Sequence, residues 1–143
     1  MNISMITVLL LFNTFLASSE PNTGNEILGI WVTQDIAAHL EFSHSGNTYV
    51  AKLIWLSEPN GPDGNPKTDR NNPDPKLQNR TLLGIPVIWN LIFQDDQWVS
   101  GSIYSIKRGA VANCTVEMPD TYTLKIKVSK GILNSTQTWK RKK

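Results

Sequence analysis

From Tyr122 to Val128 the side chains alternate without a break. Tyr122, Leu124, Ile126 and Val128 are apolar; Thr123, Lys125 and Lys127 are polar. A period of two places successive side chains on opposite faces of an extended chain, so the stretch reads as a strand with one dry and one wet face. The same pattern recurs along most of the chain. Ala38, Leu40 and Phe42 share a face, as do Ala112, Cys114, Val116 and Met118 against Asn113, Thr115 and Glu117. No run of useful length repeats at the helical period. Turn residues separate the alternating stretches at Ser45-Gly46-Asn47, Asp95-Asp96, Lys107-Arg108-Gly109, Pro119-Asp120 and Ser129-Lys130-Gly131.

The spacing predicts about eight strands: 29–33, 38–42, 49–56, 86–93, 97–106, 111–118, 121–128 and 135–141. Short turns make sequential strands antiparallel neighbours. Eight such strands bury their dry faces together by closing, which also removes exposed edges. The expected fold is therefore an all-β, single antiparallel meander barrel. At eight strands the interior either fills with side chains or holds one small ligand. Phe42, Trp55, Trp89 and Tyr122 are expected to point inward.

One connection is not short. Between the apolar runs Val50–Leu56 and Leu82–Trp89 lies a polar segment, residues 57–80, rich in Pro, Gly and Asp. A long segment of this kind inside a small domain is usually functional or disordered. Its aspartates and asparagines, Asp63, Asn65, Asp69, Asn71 and Asp74, fall near calcium-loop positions. But Lys67 occupies a ligand position, Thr68 stands where the turn Gly is needed, and no bidentate Glu ends the loop. The reading is a structural loop without a metal. Asx turns and four prolines stiffen it, Lys67, Arg70 and Arg80 pair with its aspartates, and it lies across one barrel mouth.

Apolar content of 40% and charged content of 18% describe a globular chain. Met5 to Ala17 is apolar and uncharged, and Ala17-Ser18-Ser19 follows with small residues. The run is shorter than the roughly 20 residues that cross a bilayer. It reads as a signal peptide, residues 1–19, ahead of one domain at 20–143, with a periplasmic or secreted location. Cys114 is the single cysteine, so neither an internal disulfide nor a Cys-rich zinc site forms. A net charge of +2 identifies no partner. Seven of the 14 basic residues lie beyond Asp120, where no acid occurs. They are the wet face of two strands and a tail, or a weak contact with an anionic envelope surface. Nucleic acid is not an expected partner of an exported chain.

Gly29-x-Trp31 resembles the Gly-x-Trp of lipocalins and other calycins. That resemblance implies that Trp31 plugs one barrel end and that a basic residue from the last strand, within Trp139-Lys140-Arg141, lies over it. The middle of the chain is more specific. Ile54-Trp55-Leu56, Pro62-Asp63-Gly64-Asn65-Pro66-Lys67-Thr68-Asp69, Asn72-Pro73-Asp74-Pro75 and Arg80-Thr81-Leu82-Leu83-Gly84 resemble a family of small exported bacterial proteins, catalogued as a domain of unknown function with a lipocalin-like barrel. Asp120–Leu124 and Thr136–Trp139 fit it too. The resemblance covers the mature chain and implies a signal peptide and a calycin-type barrel, but no activity. Cysteines that many members carry near the first hairpin are missing from Phe42–Asn47, and Thr81 stands where members usually have Pro.

No Ser or Cys has a base and orienter, and His39 and His44 fall on opposite strand faces. The expectation is a non-catalytic protein with no cofactor. It holds a small apolar or amphipathic ligand at the barrel mouth through Trp55, Trp89 and Tyr104, beneath the charged set Lys67, Asp69, Asp74 and Arg80. The alternative is an envelope interaction or structural protein, working through residues 57–80 or the basic C-terminal strands. An enzyme using loop carboxylates is a third reading. An open interior favours the first, a packed interior the second.

Overall fold

The structure, a computed structural model, describes residues 20–143. The signal-peptide reading of residues 1–19 lies outside them. Eight strands follow one another: β1 (Gly29–Val32), β2 (Ala38–Ser45), β3 (Thr48–Leu56), β4 (Pro86–Gln94), β5 (Gln97–Ser105), β6 (Ala110–Asp120), β7 (Thr123–Lys130) and β8 (Leu133–Arg141). Each pairs antiparallel with the next, and β1 pairs with β8, so the sheet closes as a meander barrel. Closure rests on two residue pairs, Trp31 opposite Arg141 and Val32 opposite Lys140. A 3-10 turn, Asn25–Ile27, stands just before β1 and packs Ile27 into the core.

The barrel interior is filled. One row of paired residues (Gly29, Phe42, Ala51, Ile88, Ile103 and Ala112) runs round the inside from β1 to β6. Trp31, Leu40, Leu53, Leu91, Trp98, Val116, Leu124, Ile126 and Trp139 complete the core. Tight packing leaves little slack: a Cβ on Gly101 would stand 2.5 Å from Leu91 Cδ2 and 2.8 Å from Cys114 Sγ. Cys114 belongs to this interior, and burial pushes its thiol up to about 12. The thiolate is the reactive form. Ellman's reagent is therefore expected to leave the native protein unmodified at pH 8 and to titrate one thiol once urea has unfolded it; rapid native labelling would contradict the burial.

One barrel end is sealed around Trp31. Its indole Nε1 donates to the Ile27 carbonyl at 2.8 Å, and the Arg141 guanidinium lies 4.2 Å above its ring. Arg141 also donates to the carbonyls of Thr121 (2.8 Å), Leu28 (2.9 Å) and Glu26 (2.6 Å). Gly29, at φ 116, leaves the guanidinium room, since a Cβ there would sit 3.1 Å from Arg141 Nη1. Trp139 lies deeper in the interior, opposite Leu124 and near Phe42.

Three expectations are corrected. Tyr122 does not point inward. It is 62% exposed in the β6–β7 turn, because β6 runs on through Pro119 and Asp120, displacing the turn by two residues. Trp55 does not point inward either. His39 pairs with Trp55 but Leu40 pairs with Leu53, so Ile54 is an extra residue in β3. A bulge of this kind resets the pleat, and Trp55, 42% exposed, turns outward and stacks on His39 at 4.3 Å. Trp89, opposite Ser102, also stands on the outer face.

Candidate functional site

The long segment does not lie across a barrel mouth. With the interior filled, it packs instead on the outer wall, and the residues that invite it there are apolar side chains on the wet face. Val50, Trp89, Tyr104 and Val111 all have outward parity, because their neighbours Ala51, Ile88, Ile103 and Ala112 form the inner row. Tyr104 is nonetheless buried, because the segment covers it.

The segment has its own internal order. Asn60 bridges to Pro66, and Thr68 to Thr81. Asp63 accepts from the N–H and side-chain amide of Asn65 in an Asx turn. Asn72 Oδ1 accepts from the Asp74 N–H, and Asp74 Oδ1 in turn accepts from Lys76 N–H at 3.0 Å. That last bond caps a 3-10 turn, Pro75–Leu77, whose first residue is a proline. Asp74 is therefore a capping residue.

One buried carboxylate fastens this segment to the wall. Asp69 is 0% exposed. Its Oδ1 accepts from the Tyr104 hydroxyl at 2.6 Å; its Oδ2 accepts from Asn72 Nδ2 at 2.9 Å and from Arg80 Nε at 3.0 Å and Nη2 at 2.8 Å. Burial by itself would raise the Asp69 carboxyl. The hydrogen bonds from Tyr104, Asn72 and Arg80, together with the guanidinium charge, outweigh it and hold the group below its ordinary range. The Tyr104 hydroxyl is pushed up to about 12, by burial first and by its bond to Asp69 second. A second fastening is steric. Asn71 Nδ2 donates to the Lys107 carbonyl at 3.0 Å, and Gly109, at φ 61, passes so close that a Cβ would come within 1.7 Å of the Asn71 carbonyl oxygen.

Between wall and segment lies a groove of about 700 Å³. Its floor is Val50, Pro86, Trp89, Tyr104 and Val111, and its far lip is Asn72, Pro73, Leu77 and Arg80. Lys52, exposed on the solvent face of β3, and His44 stand at its margin. Of the residues expected to bind, Trp89, Tyr104 and Arg80 meet in this groove. Trp55 does not, for the reason given above. Lys67 does not pair with a loop aspartate but reaches Glu58 at 3.7 Å, and Asp69 is spent on holding the segment. Among the described residues Arg70 makes no ion pair, and no cluster of His, Cys, Asp or Glu suits a metal. Val50 and Val111 were missed, although each breaks the alternation: Val50 shares its parity with Lys52, and Val111 with Asn113.

Comparison with known proteins agrees with this architecture. The profile of a family described as "Uncharacterized protein conserved in bacteria (DUF2147)" matches residues 29–141. Helicobacter pylori protein HP1028, whose solved structure is described as belonging to the lipocalin family, superposes with a TM-score of 0.72 at 26% identity, over 82% of this chain and 83% of that one. No curated protein matches the chain.

Proposed function

The chain belongs to the bacterial family DUF2147, and from that premise we propose that it is an exported, non-catalytic binding protein whose ligand lies on the barrel's outer wall. The observation that carries this reading is the groove of about 700 Å³ under the 57–80 segment. Its size falls in the range of small-molecule sites, and its lining is mostly apolar with a few polar groups, as such sites are. The packed interior speaks against a ligand on the barrel axis. An amphipathic molecule with an anionic head suits the groove best. Its apolar body lies on Trp89, Val50 and Val111, and its head meets Lys52, which has no ion pair among the described residues. Export is supported by the apolar run Met5–Ala17.

Titration with dodecanoate, followed through the indole N–H signals, tests this. Saturable movement of the Trp89 signal is expected, with Trp89→Ala weakening binding about tenfold or more, equivalent to roughly 1.4 kcal/mol. No saturation, or movement confined to the interior indoles of Trp31, Trp98 and Trp139, would overturn it. The packed interior also favours the interaction-protein reading, in which the same segment or the basic C-terminal strands meet a macromolecule.

A further inference from the structure

β8 is longer than the strand that closes against it. In β8 the odd-numbered backbone groups bond to β7: the Arg141 N–H reaches the Tyr122 carbonyl at 2.9 Å, in the register that sets Trp139 opposite Leu124. The even-numbered groups face the other way. Lys142 N–H donates to the Ile30 carbonyl, Lys140 stands opposite Val32, and Thr138 N–H donates at 2.8 Å to the side chain of Gln34. β1 has ended by then. Thr136 and Asn134 come next in the same register, and no described residue pairs with their outward N–H and C=O groups.

We propose that this edge pairs with the same edge of a second copy of the chain. Proteins usually protect a free edge with charges, prolines or bulges. Residues 132–138, Ile-Leu-Asn-Ser-Thr-Gln-Thr, have none of these along the edge. Antiparallel pairing about a two-fold axis at Ser135 sets Asn134 opposite Thr136 of the other copy, and Thr136 opposite its Asn134. All four residues point their free groups at each other, so both pairs are hydrogen-bonded ones. The same register brings Ile132 of one copy level with Thr138 of the other, where the Gln34 side chain that accepts from the Thr138 N–H must swing aside to admit it, next to Ile36. Ile132 is 96% exposed, and Leu133 and Ile36 are each 69% exposed. Ile36 is also a β-branched residue at φ 59, a sterically costly backbone conformation. The pairing covers these aliphatics twice over. An interface of one short ladder and six aliphatic side chains falls at the small end of the range, below about 1,200 Å², so the dimer forms in a concentration-dependent way.

Sedimentation velocity from about 1 μM to about 1 mM, the span of weak affinities, is expected to show monomer passing to dimer. Thr136→Pro removes an outward N–H that the β7 ladder does not use, and is expected to keep the protein monomeric with an unchanged circular dichroism spectrum. Ser135→Cys gives a readout independent of that variant. Residues opposite one another at a non-hydrogen-bonded position lie about 4.5 Å apart, within disulfide reach, so mild oxidation is expected to yield a covalent dimer. A monomer throughout the range, a Thr136→Pro protein that dimerises as before, or a Ser135→Cys protein that does not crosslink would each overturn the proposal.

Discussion

Trp31→Ala is expected to lower stability by roughly 3–5 kcal/mol, the usual cost of emptying a fully buried tryptophan site. Three losses coincide. The cavity opens where β1 meets β8, at one of only two pairs that close the sheet. The Ile27 carbonyl loses its indole donor. The Arg141 guanidinium loses the ring beneath it, a contact worth about 0.5–2 kcal/mol. Domains of this size hold only about 5–15 kcal/mol in reserve, so the variant is expected to be marginal. With a urea dependence of about 1–3 kcal/mol per molar, the unfolding midpoint is expected to fall by about 2 M. A shift under about 0.5 M would mean that Trp31 does not seal the barrel end.

Asp69→Ala is expected to act on the segment before the barrel. It leaves Tyr104 and Asn72 without their acceptor and Arg80 without its counter-charge. Breaking a buried pair costs about 3–5 kcal/mol. Arg80 keeps a third of its side chain in water and recovers some solvation, so a net figure of about 2–3 kcal/mol is appropriate. No barrel ladder passes through the segment, so the loss appears as local opening. Trypsin is expected to cut at Arg70, Lys76 and Arg80 well before the strands, and the groove is expected to lose its lip and its ligand together. Acid should reproduce the effect. The Asp69 carboxyl is held below its ordinary value, so its contribution is complete above that value, about 3.9. It is lost only as pH falls through the lower folded-state value. Tryptic resistance of the segment at pH 5 equal to that at pH 7 is the expected control. A segment as resistant in Asp69→Ala as in the wild type would remove Asp69 as its anchor.

The barrel was legible because it is written in alternation, and alternation is local. Leu124 and Ile126 alternate with Lys125 and Lys127 as a two-faced strand must, and they lie where that rule puts them. Errors arose where one residue changes the count. Ile54 adds a step to β3, so Trp55 leaves the face its parity assigns. Nothing in the residues Leu53-Ile54-Trp55 marks that step, because all three suit either face. Tyr122 failed for the neighbouring reason: Pro119-Asp120 reads as a turn, but pairing of Asp120 with Thr123 carries the hairpin two residues further. The segment itself was legible in its turns, since Asp63 and Asp74 do what aspartates next to Asn and Pro do. Where it lies depends on Asp69 finding Tyr104, 35 residues away, and local pattern does not encode such a contact.

The Arg141 clasp also sets when the molecule becomes whole. Its bond to the Leu28 carbonyl joins residues 113 apart, the longest excursion but one among the side-chain bonds. Bringing those ends together from an open coil would cost about 4 kcal/mol of chain entropy plus a constant. Each hairpin formed in between shortens the path, so the β1–β8 seam is expected to close after the hairpins of β2 to β7. Topologies dominated by such distant contacts fold slowly. The barrel therefore stays unsealed until β8 is in place, and the order of the strands along the chain rather than any residue acts as the timer.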